Sequence, residues 1–112
     1  RIAVFSYILI DHAANIGRNL EEYIFTQHFL VSQLPHFSLD RYCVLLKQVD
    51  IRDIQGLRPT LRQMHRMGWL KFLDGEEFRF LRPFHRMLDK CLELSGPRPW
   101  AGNAEPAAGS TS

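Results

Sequence analysis

Cationic side chains at regular spacing are the pattern in this 112-residue sequence that most suggests chemistry. Four of them recur at intervals of three and four residues, so a helix would gather them on one face: Arg58, Arg62, His65 and Arg66. Lys71 and Arg79 follow in a predicted hairpin, where they would lie opposite each other. Like charges paired across strands mildly disfavour a sheet unless an anion or an acidic surface is near. One interpretation is a recognition helix in the major groove of DNA, with Arg62 and Arg66 on phosphates or guanine edges and the hairpin cations on the adjacent backbone. The alternative is that the long side chains of Lys71 and Arg79 extend into solvent.

Residue patterns that support catalysis are missing from the sequence. Its five histidines are scattered, without the helical pair and acid of a zinc hydrolase: His12, His28, His36, His65 and His85. Neither a phosphate-binding glycine loop nor a serine in a nucleophile elbow occurs. Cys43 and Cys91 have no metal-ligand or redox spacing. We therefore expect a protein that is not an enzyme, with no cofactor and no metal site.

Length and composition favour one small domain. A chain of 112 residues with 46% hydrophobic content can bury one modest core. The net charge of +2 is too small in bulk to require a nucleic acid, although basic residues are concentrated between Arg52 and Lys90. Two cysteines inside predicted helices fit a reduced, cytoplasmic setting. The run from Ile2 to Ile10 is too short for the roughly 20 residues of a membrane span, and the initial arginine suggests a fragment of a longer protein.

The basic residues are positioned by a helix followed directly by a hairpin. Leu57, Leu61 and Met64 share the inward helix face, and Gly68 stands where a left-handed terminating residue is expected. The segment 69–81 alternates around a three-residue loop, 74–76, in a register that places Leu70 opposite Phe80 and Phe72 opposite Phe78. This order predicts a winged helix-turn-helix, an α+β fold that is mostly α.

The first half of the chain is predicted to supply the remaining elements of that fold. The segment 2–14 is a buried helix or strand, and its alanines favour a helix. Loop residues 15–19 precede a short strand at 22–25, and Thr26 then caps a helix over 27–34. Ser38 is a candidate cap for a helix over 39–48.

Two prolines shape the predicted second half. Asp50 could cap the helix that carries the arginines, but Pro59 implies either a turn followed by a helix from about Arg58, or one kinked helix. Pro83 is predicted in the first turn of a last helix. We assign residues 1–95 to the winged-helix domain and 96–112, rich in proline, glycine, alanine and serine, to a disordered tail.

Aromatic residues support an alternative interpretation, in which the winged helix binds a segment of another protein chain instead of DNA. The aromatic and apolar inventory exceeds what so small a core requires, which favours a partner surface. The candidates for that surface are Phe37, Tyr42 and Trp69.

Two segments resemble a known family. YIFTQHFL at Tyr23–Leu30 and LRQMHRMGWLKFLDGEEFRFL at Leu61–Leu81 resemble the C-terminal winged-helix domain of the MukE and MksE family, the tandem winged-helix subunits that join the kleisin in bacterial SMC condensins. The resemblance covers roughly residues 2–92. The sequence departs from the family pattern at Pro59 and in a shorter connection at 47–50.

The resemblance implies a non-enzymatic accessory subunit. Such a subunit binds an MksF- or MukF-type kleisin, forms a homodimer and contacts DNA, and through the kleisin it acts indirectly with an SMC ATPase. Its setting is the cytoplasm, associated with the nucleoid, in chromosome segregation or plasmid defence. The alternative is a winged-helix transcription regulator that binds a defined duplex site as a symmetric dimer.

Overall fold

The computed structural model describes the backbone of residues 1–95 and the side chains of residues 1–93. The described helices and strands are α1 (Ile2–Asn15), α2 (Leu20–Phe25), β1 (Phe29–Leu30), α3 (Asp40–Gln48), α4 (Ile54–Arg66), β2 (Leu70–Phe72), β3 (Glu77–Phe80) and α5 (His85–Ser95). Short 3₁₀ turns occupy Val31–Gln33, Pro35–Phe37 and Arg82–Phe84. The order of helix, strand, two helices and hairpin confirms the predicted winged-helix fold, mostly α with a small sheet.

The three strands form one antiparallel sheet in the order β1-β3-β2. The predicted register is confirmed, since Leu70 pairs with Phe80 and Phe72 pairs with Phe78. In the turn between β2 and β3, the Asp74 carboxylate accepts hydrogen bonds of 2.7 Å from two backbone N–H groups, those of residues 76 and 77. A side chain that bonds the backbone two and three residues ahead stabilises a tight turn. We call β2, β3 and this turn the wing.

Helix α4 begins and ends with caps encoded in the sequence. The Asp53 carboxylate accepts a 2.8 Å bond from the Gly56 N–H, so Asp53 rather than Asp50 is the N-cap. At the other end Gly68 has φ +77°, and its N–H donates to the carbonyl of His65. The N–H of Trp69 donates to the carbonyl of Met64, which completes a Schellman motif. The helix therefore ends where predicted, and only residues 67–69 connect it to β2.

Pro59 lies inside α4 without ending it, so the single-helix alternative describes the structure. A proline here removes one backbone donor and typically costs about 3 kcal/mol. Leu57 and Leu61, on either side of it, are fully buried. Burial of these leucines offsets the cost and keeps the helix continuous.

The predicted elements between residues 20 and 34 are wrong. Residues 22–25 belong to α2, because the Asn19 side chain accepts a bond from the Glu22 N–H and starts a helix there. Thr26 follows the end of α2 instead of capping a helix. The strand is Phe29–Leu30, inside the segment predicted as a helix.

Smaller corrections concern the residues predicted at the starts of α3, α4 and α5. Ser38 does not cap α3, since its hydroxyl donates to the carbonyl of Pro35 at 2.6 Å and the helix starts at Asp40. Asp50 is no cap either, and has φ +69°. Pro83 lies in the 3₁₀ turn before α5. The predicted tail, 96–112, lies outside the described residues.

Helix α1 is the centre of the core, and it carries a buried carboxylate. Phe5, Ile8 and Leu9 are completely buried. Asp11 is only 6% exposed, and its carboxylate accepts hydrogen bonds from the Tyr42 hydroxyl at 2.7 Å and the Arg41 guanidinium at 2.6 Å. A buried charge needs such partners, so this cluster fixes α3 against α1.

A second buried polar group holds the segment before α3. The His36 ring is fully buried, stacks on Phe5 with centroids 4.2 Å apart, and its Nε2 lies 3.0 Å from the Phe5 carbonyl oxygen. Nδ1 has no partner among the described residues. Burial lowers the pKa of His36 to about 3, so the ring is neutral at physiological pH.

Replacing Leu61 by alanine tests the face assignment of α4. Leu61 is completely buried, so Leu61→Ala should lower the free energy of unfolding by about 2–5 kcal/mol. The matched control is Leu73→Ala, because Leu73 is 44% exposed and should lose little. Denaturant melts measure both variants. Equal midpoints would contradict the inward orientation of Leu61.

The buried histidine predicts acid sensitivity. Unfolded His36 takes up a proton near its ordinary pKa of about 6.5, whereas the folded ring stays neutral down to about 3. Stability should therefore fall as the pH drops from about 6.5, by up to about 1.4 kcal/mol per pH unit from this group. His36→Gln keeps a hydrogen-bond donor for the Phe5 carbonyl but has no group that titrates. The slope of the unfolding free energy against pH should therefore be smaller in this variant, by up to about 1.4 kcal/mol per pH unit, which corresponds to one proton. Parallel curves for the two proteins would be inconsistent with this origin.

Candidate nucleic-acid and partner interface

The helical spacing of the predicted cations is reproduced on the solvent side of α4. Arg62, His65 and Arg66 are exposed, while Leu57, Leu61 and Met64 on the opposite side are buried. His65 and Arg66 also lie in the last turn, where positive charge interacts favourably with the helix dipole. The packing of the leucines therefore leaves the cations facing outward.

Arg58 differs from Arg62, His65 and Arg66 because it forms hydrogen bonds with the turn of the wing. Its guanidinium donates to the Gly75 carbonyl at 3.2 Å and to the Glu76 carboxylate at 2.5 Å, and a further bond goes to Gln55. Its side chain is 27% exposed. Arg58 therefore holds the turn of the wing against α4, and its charge is shared with an acid of the same chain.

A groove opens between α4 and the wing. Its volume is about 320 Å³, and the residues that line it are Arg58, Arg62, Phe72, Asp74 and Gly75. The His65 ring approaches Phe72 edge-on, with centroids 5.7 Å apart. The two backbone bonds to the Asp74 carboxylate lower its pKa, so this acid is charged at neutral pH. We call this space the α4–wing groove.

Lys71 and Arg79 lie on a different surface. They are directly paired across β2 and β3 and exposed, whereas their neighbours Leu70, Phe78 and Phe80 are buried. Because side chains alternate along a strand, the pair faces away from the side that packs against the core. The six predicted cations thus divide between the helix side and the outer face of the wing.

Of the predicted partner-interface residues, Tyr42 is wrong. Its side chain is 1% exposed and its hydroxyl donates to Asp11, an arrangement in which burial raises the pKa of Tyr42 to about 12. Phe37 is half-buried against the core. Trp69 is also half-buried, tilted against Phe84 at 6.3 Å. Only the exposed parts of these two rings are accessible to a partner.

The sequence prediction missed two features. Phe72 and Gly75 line the groove, but the sequence prediction assigned them to the hairpin and not to a site. The predicted register had already placed the Phe72 side chain on the inward face of the hairpin, next to its turn. His85 lies between two carboxylates, with Nε2 bonded to Glu21 and Nδ1 3.1 Å from Asp89. The bond to Glu21, with Asp89 adding to it, raises the pKa of His85, and the side chain of this residue connects α2 to α5.

Within the described part of the chain, no cluster of three or more histidine, cysteine, aspartate or glutamate side chains has a geometry that could hold a metal ion. The described helices include none with the length and apolarity needed to cross a membrane.

Comparison with known proteins supports the resemblance seen in the sequence. A family model described as condensin complex protein MksE matches residues 1–92. No curated protein and no solved structure gives a significant match. The family match includes α1–α4, the wing and most of α5, and covers 92 of the 112 residues. The chain therefore belongs to the MksE family of condensin complex proteins.

Proposed function

We propose that this chain is a non-enzymatic accessory subunit of a bacterial condensin that binds the kleisin and contacts DNA through α4. Membership of the MksE family supports a role within a multi-subunit condensin. The finer statements are our proposal: an MksF- or MukF-type kleisin as direct partner, a homodimer, an SMC ATPase as indirect partner, and a nucleoid setting. The cellular role would be chromosome organisation or defence against plasmids.

The observation that carries the DNA proposal is the pair Arg62 and Arg66, one turn apart on the exposed side of α4. Neither forms an ion pair with any residue that the structure describes. Two uncompensated guanidinium groups about one helical turn apart can each neutralise a phosphate or contact a guanine edge in the major groove. This helix is also the second helix of the helix-turn-helix, the one that enters the groove in related folds.

The outer face of the wing would add a second contact. Lys71 and Arg79 are adjacent and exposed, and within the described residues neither has an acidic partner. A phosphate between them would remove the mutual repulsion that the strand pairing imposes. We propose that α4 approaches the bases while this pair contacts an adjacent backbone segment.

A transcription regulator is the alternative function, favoured by the helix-turn-helix itself. The two proposals differ in specificity and partner. A regulator would bind one duplex sequence far more tightly than others, as a dimer with evenly spaced half-sites. A condensin subunit would bind DNA with little sequence preference and co-purify with a kleisin.

Charge reversal on α4 tests the DNA contact. The double variant Arg62→Glu, Arg66→Glu should weaken binding to mixed-sequence duplex DNA and reduce the slope of log K against log salt by up to about 2, since each lost phosphate contact removes about 0.9. The measurement is fluorescence anisotropy across a salt titration.

A matched control lies on α5. Arg86→Glu with Lys90→Glu makes the same charge change at the same four-residue spacing on another exposed helix face. It should retain most of the affinity if α4 makes the contact. Equal losses in both double variants would indicate only a general charge effect, and an unchanged α4 variant would eliminate this helix as the DNA surface.

Co-expression with the kleisin tests the partner. The full chain should co-elute with the kleisin of the same condensin in size-exclusion chromatography, as a complex containing two copies of this chain. A chain that elutes alone as a dimer and selects one duplex sequence from a random pool would support the regulator instead.

A further inference from the structure

The α4–wing groove borders an open strand edge. Strand β2 pairs only with β3 among the described strands, so its other side is an edge of the sheet. The N–H of Leu73 donates to the carbonyl of Glu77, and the N–H of Leu81 donates to the carbonyl of Trp69. In an antiparallel ladder such bonded pairs alternate with non-bonded ones, so the backbone N–H and C=O of Phe72 point away from β3.

The open part of this edge is short and coincides with the groove. Leu70, the other residue of β2 whose backbone faces outward, is only 1% exposed, so the edge is covered at that point. Phe72 is half-buried, and no backbone hydrogen bond joins it to a described residue outside the sheet. Within the sheet, its pairing with Phe78 falls at a non-bonded position. Its ring lines the groove, and α4 forms the opposite wall with Arg58 and Arg62.

The charges around the groove favour an acidic occupant. The Asp74 carboxylate is engaged by two backbone N–H groups, and the Glu76 carboxylate is paired with Arg58. Arg62 also lines the groove, and it has no ion pair with any residue that the structure describes. One uncompensated guanidinium beside an aromatic ring matches a carboxylate next to an apolar side chain.

We propose that the α4–wing groove binds an extended acidic segment of a protein partner, which adds as a short strand to the edge at Phe72. The segment would bond the Phe72 backbone, place an apolar side chain against the Phe72 ring, and direct a carboxylate to Arg62. This inference deepens the proposed partner binding, and it rests on that proposal only in taking the partner to be a protein.

The size of the groove disfavours duplex DNA inside it. A space of about 320 Å³ between α4 and the wing can hold a short extended segment and its side chains, and it is far too small for a duplex. An unpaired backbone N–H and C=O, by contrast, are satisfied together by another extended backbone. DNA remains the proposed ligand of the exposed cations, the interior of the groove is assigned to a peptide, and Arg62 lies at the boundary that the two surfaces share.

Peptide display against the full chain provides the probe. Selected peptides should be enriched in aspartate and glutamate interspersed with aromatic or large aliphatic residues. When the best such peptide is synthesised and added, the Phe72 amide should become protected from hydrogen exchange. Peptides without acidic enrichment, or protection only at amides outside the wing and α4, would overturn the inference.

Two groove variants and one control separate the groove from the helix face. Arg62→Glu reverses a charge of the groove, and Gly75→Glu adds a negative charge at another residue that lines it. A Cβ at Gly75 meets no atom within 4 Å, so the turn has space for the new side chain. Each variant should bind the selected peptide with an affinity lower by about tenfold or more. Arg66→Glu makes the same charge change as Arg62→Glu one turn further along α4, does not line the groove, and should leave peptide affinity within about twofold.

The remaining outcomes assign the groove to something else. Duplex DNA that protects Phe72 when the peptides do not would identify a nucleic-acid site. Self-association lost in Gly75→Glu would identify a second copy of this chain as the occupant. If Arg62→Glu and Gly75→Glu bind the selected peptide as tightly as the unmodified chain does, the groove assignment is wrong, and kleisin binding is judged separately by co-elution.

Discussion

Packing of the apolar face of α4 against the sheet is the interaction on which the candidate site depends. Leu57, Leu61 and Met64 are completely buried, so the helix cannot rotate about its axis without exposing them. Burying a side chain of this size stabilises a fold by roughly 1.5–3 kcal/mol. The outward direction of Arg62 and Arg66 is therefore a consequence of hydrophobic burial, and the charged face needs no stabilising contacts of its own.

The wing is held in place mainly by aromatic packing and only secondarily by charge. Ring contacts run from Phe72 to Phe78 at 5.7 Å, then to Phe80 at 5.4 Å and to Phe84 at 4.6 Å before α5. Such pairs contribute about 0.5–1.5 kcal/mol each beyond their buried area. The exposed ion pair of Arg58 and Glu76 adds less, because solvent screens it. It fixes the position of the turn, and so the width of the groove, more than it stabilises the fold.

The sequence predicted this half of the molecule well because its signals are local. The period of the leucines, the glycine at 68 and the alternation of the wing each involve residues close together in the chain, and the register is confirmed. The two-residue strand Phe29–Leu30 exists because distant β3 pairs with it, and no local pattern marks it. Tyr42 was assigned to the surface because its buried acceptor, Asp11, lies 31 residues earlier. The groove escaped prediction for the same reason, since it forms only when α4 and the wing turn are brought together.

The left-handed glycine that ends α4 has a further consequence for how this region can change. Three residues, 67–69, separate the end of α4 from the start of β2, and Gly68 is the one among them with a positive φ. Because each helical residue advances the side-chain direction by about 100°, inserting or deleting one residue in α4 would turn its arginines relative to the wing by that angle. Substitutions can therefore tune the charges on either element freely, whereas a change in length would misalign the two and abolish the groove in a single step.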